Sequence, residues 1–136
     1  MSGLKIAALA TGLLGLLVAC STDPVEITQT GTITDSDPVH MADGSHYDEY
    51  RFSAKAGWDI EIHMESTEVD PYLQLRRDGV ADESYLEEHD DVSMSDRSAH
   101  ITTTAPVNAE YVVWANTAGA DDRGAYTLKI TAQPPK

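Results

Sequence analysis

The chain has 136 residues, enough for one domain behind a leader. Its 23 acidic and 9 basic side chains give a net charge of −14, which excludes a nucleic-acid partner, because phosphate binding needs clustered Lys and Arg, and argues against adhesion to anionic lipid. With 41% hydrophobic residues the chain carries enough apolar material for a core.

In chain order, the first feature is a leader. Lys5 is the only charge before Asp23, and residues 6–16 are apolar with small side chains interspersed. That is the layout of a secretory signal, too short to span a bilayer, which takes about 20 residues. Residues 1–19 are therefore expected to be a signal peptide. It ends at Leu17-Val18-Ala19-Cys20, and Cys20 is the only cysteine in the chain. This resembles the bacterial lipobox, in which the cysteine takes fatty acyl chains such as palmitate and becomes the first residue of the mature protein. The resemblance implies that Cys20 is a membrane anchor and not a redox group, that residues 20–25 form an acylated tether, and that the domain is held in the cell envelope. Ser21 follows the cysteine, and by the same resemblance the absence of Asp there implies the outer membrane if the source is Gram-negative. Several chains on one cysteine supply the stable anchoring that a single chain does not.

Residues 26–133 read as short strands separated by turns. Residues 26–34 are rich in Thr and Ile; residues 35–45 crowd Asp, Pro and Gly into a loop. In residues 47–53, Tyr50 and Phe52 share a face. After a turn at Ala56-Gly57-Trp58, residues 59–66 alternate, with Ile60, Ile62 and Met64 on one side and Glu61, His63 and Glu65 on the other. From Asp70-Pro71 the next strand points Leu73 and Leu75 inward and Tyr72, Gln74 and Arg76 outward, and it ends at the turn Arg77-Asp78-Gly79. Residues 80–86 read as a weaker strand and residues 87–97 as a polar loop. Residues 99–104 are β-prone. Residues 110–116 set Tyr111 and Val113 against Val112 and Trp114, and residues 125–132 close with Tyr126, Leu128 and Ile130. No stretch has a helical period. The expected fold is all-β, an antiparallel, jelly-roll-like β-sandwich whose core holds Tyr50, Phe52, Ile60, Ile62, Leu73, Leu75, Tyr111, Val113, Leu128 and Ile130.

The segments GTITDSD, YDEYRFSAKAG, DIEIHMESTEVDPYLQLRRDG, EEHDD, ITTTAP, EYVVWAN and GAYTLKI occur in that order. As a set they resemble the bacterial pre-peptidase C-terminal domain, a β-sandwich often attached to secreted proteases, and Asp70-Pro71-Tyr72-Leu73 ahead of Asp90-Asp91 carries most of the likeness. The chain departs from that pattern where Asn108-Ala109-Glu110, with no glycine, precedes Tyr111. The resemblance implies a calcium site at Asp70, Asp90 and Asp91, because some relatives bind calcium. The alternative is that these acids, with Asp35, Asp37, Asp43 and Asp48, form turns or a solvated acidic face.

Other chemistry is sparse. His40, His46, His63, His89 and His100 show no zinc-site spacing. There is no nucleophile-elbow motif, and the chain is not expected to be an enzyme. Trp58, Tyr72 and Trp114 are candidates for an exposed aromatic surface that binds a polysaccharide or a protein, the alternative being partial burial at a sandwich edge. The expected role is a binding module close to the envelope membrane. The alternatives are a structural envelope protein with calcium-dependent stability, or an accessory to a separate secreted protease.

Overall fold

The computed structural model describes residues 23–79, 87–89 and 97–136, the middle segment by its backbone. Eight strands run in the order β1 (Val25–Ile33), β2 (Asp48–Ala54), β3 (Asp59–Glu65), β4 (Pro71–Arg77), β5 (Glu87–His89), β6 (Ala99–Thr104), β7 (Ala109–Thr117) and β8 (Gly124–Gln133). They build two four-stranded sheets with orders β1-β8-β3-β6 and β2-β7-β4-β5. Every pairing is antiparallel. Each sheet alternates strands from the two ends of the chain, which is the jelly-roll arrangement of an eight-stranded sandwich. No helix among the described residues is long and apolar enough to cross a membrane.

The core follows from period-two alternation. Tyr50 and Phe52 from β2, Ile60, Ile62 and Met64 from β3, Leu73 and Leu75 from β4, Tyr111 and Val113 from β7, and Leu128 and Ile130 from β8 are all buried in one cluster. Each strand sends alternate residues inward because successive Cβ atoms point to opposite faces. Phe52 and Tyr111 are cross-strand partners, their rings stacked with centroids 5.8 Å apart. The Tyr111 hydroxyl donates back to the Val107 carbonyl at 2.5 Å, fixing the corner that leads into β7. Gly31 sits directly opposite Tyr126, and a Cβ there would overlap the Tyr126 hydroxyl, so the tyrosine ring occupies the space a larger β1 residue would take. The turn expected after β4 forms, with Gly79 at φ 82°, a backbone conformation that favours glycine.

The interior also holds a polar chain that links the sheets. Tyr126 donates to the Asp48 carboxylate at 2.5 Å, and its oxygen lies 2.7 Å from the Tyr50 hydroxyl. With its single proton given to Asp48, Tyr126 must accept from Tyr50. Burial pushes the Tyr50 phenol up to about 12, the hydrogen bond with Tyr126 opposing it and the charges of Asp48 and Asp37 adding to it. Burial likewise raises Tyr126, with further contributions from Tyr50 and Asp48. Asp48 is thus an inward-facing residue at the head of β2 and not a loop acid, and Asp37 is also buried, its carboxylate accepting from the Thr34 N–H at 2.9 Å.

The structure differs from the sequence reading in three places. The stretch expected to be a polar loop contains β5, which pairs with β4 through Leu73–His89, Gln74–Glu88 and Leu75–Glu87. Glu87-Glu88-His89 carries no apolar residue to mark it, and an edge strand, paired on one side only, needs little hydrophobicity. Gln74 and Arg76 face outward from their sheet, as expected, but both are buried, Gln74 to 1% exposure. Trp58 lies in the core cluster, and its carbonyl accepts from the Ala105 N–H at 2.9 Å. The weaker strand expected at residues 80–86 lies outside the described residues, as do Cys20 and the rest of the leader.

Candidate binding surface

The unexpected burial occurs on the outer face of the β2-β7-β4-β5 sheet, where Gln74 is the strand partner of Trp114 and Arg76 lies over its ring, and residues 38–47 dock on the same tryptophan. This segment folds back on itself as a tight loop. Val39 and His46 form a bridge, His40 N–H donates to Ser45 O at 2.7 Å, Gly44 N–H to His40 O at 2.8 Å, and Tyr47 N–H to Pro38 O at 3.1 Å. Asp43 clasps the loop by accepting from the Ser45 backbone at 2.9 Å and from its hydroxyl at 2.6 Å. Partial burial pushes the Asp43 carboxyl up, but the two Ser45 hydrogen bonds and nearby His40 outweigh it and hold the group below the ordinary range. The clasp is an Asx turn, in which Asp substitutes its side chain for a backbone acceptor.

The loop is anchored on Trp114 of β7. Tyr47 stacks on the indole with centroids 3.8 Å apart and planes 14° from parallel. His40 meets the same ring edge-on at 5.4 Å, and the Arg76 guanidinium carbon lies 3.8 Å from its centroid. The indole N–H donates to Glu49 at 3.2 Å. Glu49 in turn accepts from Arg51, which also reaches Asp78 at 3.0 Å and Glu110 at 3.5 Å. Trp114 is therefore a hub that fixes the loop to the sheet, with a charged network beneath it.

What this anchoring presents is the loop tip. Met41 is 91% exposed and Val39 43% exposed, the most exposed large apolar side chains of the described chain together with Val107. An apolar side chain on a loop held by backbone bonds and an aromatic stack costs little ordering when it enters a partner's pocket.

Of the aromatic residues singled out from sequence, the structure brings two together and separates the third. Tyr72 is diagonal to Trp114 on the same outer face, since Gln74 is the direct partner of Trp114. Trp58 lies in the turn between β2 and β3 and is buried in the core, so it adds nothing to an exposed platform. His40 is likewise no scattered surface histidine but a packed one. Met41 was not legible as a site residue. The only sequence signal was the Asp43-Gly44-Ser45 turn, which marks a tight loop without saying where it docks.

Of the acids, Asp70 is in the described region, and Asp90 and Asp91 lie outside it. One Asp70 carboxylate oxygen is held by Arg97 at 2.5 Å. The other is buried and has no hydrogen-bond partner among the described residues. The Asp122 carboxylate accepts from the Asp70 N–H at 3.2 Å, so a second acid lies beside it. A cation at Asp70 would find one open oxygen and compete with a guanidinium for the other. No group of three or more His, Cys, Asp or Glu among the described residues is placed to hold a metal. Asp35, Asp37 and Asp43 are engaged with Arg123, Thr34 and Ser45, as turn-forming acids are.

A polar groove of about 260 Å³ opens between β1, β8 and the turn after β3. Its groups serve the turn itself: Ser66 Oγ donates to Ala125 O at 2.6 Å and accepts from the N–H groups of Glu68 and Val69.

No protein-family profile and no curated protein matches the chain. Solved structures do. The chain is similar to Aeromonas hydrophila PliG, a periplasmic inhibitor of g-type lysozyme, at 13% identity and a TM-score of 0.56, over 82% of this chain and 88% of that one. It is similar to the pre-peptidase C-terminal domain of a Bacillus anthracis collagenase at 15% identity and a TM-score of 0.58, over 78% and 89%. Salmonella Typhimurium PliG matches at 15% identity and a TM-score of 0.53, over 79% and 87%. At such identities the likeness is one of fold, and the fold is the β-sandwich that these inhibitors and the pre-peptidase domain share.

Proposed function

We propose that this chain is a lipid-anchored, non-enzymatic protein of the bacterial envelope that binds a basic protein partner through the loop at residues 38–47. The observation that carries this reading is the tip itself: an exposed Met41 on a loop clasped by Asp43 and stapled to Trp114. The net charge of −14 favours a basic partner and speeds encounter with one. A sugar would stack on an open aromatic face, whereas Tyr47 already covers Trp114, which favours protein over polysaccharide. Two solved structures of the same fold are of periplasmic inhibitors of g-type lysozyme, so a lysozyme is the first partner to try. The purified chain should bind g-type lysozyme and slow its hydrolysis of peptidoglycan in a saturable way. Neither association nor inhibition, with that enzyme or with other basic envelope hydrolases, would reject the reading.

A second reading, calcium-dependent stability, is supported by the Asp70 oxygen that is buried and has no hydrogen-bond partner among the described residues. Asp70, Asp90 and Asp91 would hold the ion. A ligand that binds only the folded state raises stability by about 2.7 kcal/mol at a hundredfold excess over its Kd. Thermal melting should then rise with calcium, fall back with chelator, respond less to magnesium, and lose the response in Asp70→Asn. Equal small shifts with both ions would indicate only screening of an acidic surface.

A further inference from the structure

The register of β3 against β6 places His63 directly opposite His100. Their rings meet edge-on with centroids 5.5 Å apart, on the outer face of the β1-β8-β3-β6 sheet. Both are partly exposed, His63 to 36% of its side chain. Each imidazole rests on an oxygen two residues along its own strand: His63 Nε2 is 3.2 Å from Glu65 Oε2, and His100 Nε2 is 3.0 Å from Thr102 Oγ1. Both oxygens belong to side chains on the outer face of the same strand as the imidazole they meet.

We propose that His63 and His100 form a two-imidazole surface site for a divalent transition-metal ion, copper(II) above zinc and nickel. Directly opposed residues on antiparallel strands have Cβ atoms about 4.5–5.5 Å apart. Two imidazole nitrogens on one ion lie about 3 Å from each other when each bond is about 2.0–2.1 Å. Rings that already meet edge-on need only small side-chain rotations to reach that geometry, and the backbone that sets their spacing is held on its other side by β8. Imidazole is a borderline donor suited to copper, nickel and zinc, and affinity for a given site peaks at copper(II). The charged groups facing the pair are Glu61 and Glu65 from β3 and Lys129, which is the β8 partner of His63. Two carboxylates against one ammonium leave the local field favourable to a cation, and Glu65 is close enough to accept a hydrogen bond from a metal-bound water. Without a third protein ligand, the remaining coordination positions belong to water.

The test uses the full chain titrated with copper(II) in a non-coordinating buffer, followed by calorimetry and electron paramagnetic resonance. One ion should bind per chain with two nitrogen donors in the spectrum, and binding should weaken as pH falls, because the ligands must shed their protons. His63→Asn and His100→Asn should each weaken binding by about tenfold or more, and the double variant should do little worse than either. His89→Asn should leave binding unchanged, and calcium should not compete. His63 and His100 are partly exposed, and unchanged melting curves without metal will show that the variants fold. No saturable binding at about 100 µM copper, or equal binding in wild type and both single variants, would overturn the proposal.

Discussion

Tyr126 gives its only proton to Asp48 and takes one from Tyr50, so its hydroxyl joins the two sheets across the interior. Removing it leaves a buried carboxylate oxygen and a buried phenol short of a partner. Tyr126→Phe should therefore cost about 1–3 kcal/mol, measured by urea unfolding. The same cluster sets an alkaline limit. The folded Tyr50 phenol titrates at about 12, above the ordinary value of 10.0, and Tyr126 is raised as well. Below pH 10 both are protonated whether the chain is folded or not, and stability is unaffected. As pH rises from 10 toward 12 the unfolded chain loses these protons first, so stability falls across that window. Tyr50→Phe should make the fall shallower. Tyr50 and Tyr126 were legible as inward residues from alternation, but Asp48 was not. An acid at the start of a strand reads as a turn former, and only the partner sheet shows that the Tyr126 hydroxyl, itself backed by Tyr50, meets it.

At the scale of the strand, β4 is the most constrained element. Leu73 and Leu75 fill the core, while Gln74 and Arg76 on the other face are covered by the region around Trp114. Leu75→Ala should cost about 2–5 kcal/mol, as deletion of buried methyl groups does. The appropriate exposed comparison is Glu61→Gln on β3, which should stay within about 0.5 kcal/mol. Gln74→Ala should fall between them, because Gln74 is buried. Equal melting shifts for Leu75→Ala and Glu61→Gln would reject the assignment of faces. Alternation made the core face of β2, β3, β4, β7 and β8 readable, since which residues point together is a local property of the chain. It could not show that an outward residue is covered, because that depends on which strands flank it and what they carry, here Trp114 of β7 beside Gln74 and over Arg76. The loop at residues 38–47 and the β4 outer face become one surface only through Trp114, and no periodicity links them. β5 escaped the sequence reading for a related reason: its pairing with β4, and not its composition, makes it a strand.

For the whole molecule, the proposed anchor and the proposed partner make separate predictions. Cys20→Ser should abolish incorporation of radiolabelled fatty acid and shift the protein from the membrane to the soluble fraction. A variant that is still labelled and still membrane-bound would reject the anchor and leave the binding loop untouched. Acidic net charge predicts that association with a basic partner slows as salt rises, with a smaller change in dissociation. The most direct measurement is the affinity for g-type lysozyme of wild type, Met41→Asp and Thr127→Asp, the last an exposed position on the opposite sheet. Burying a new charge at the loop tip should weaken binding by about tenfold or more, or about 1.4 kcal/mol, while Thr127→Asp should bind as wild type does. Equal affinities for all three proteins would contradict a partner site at Met41.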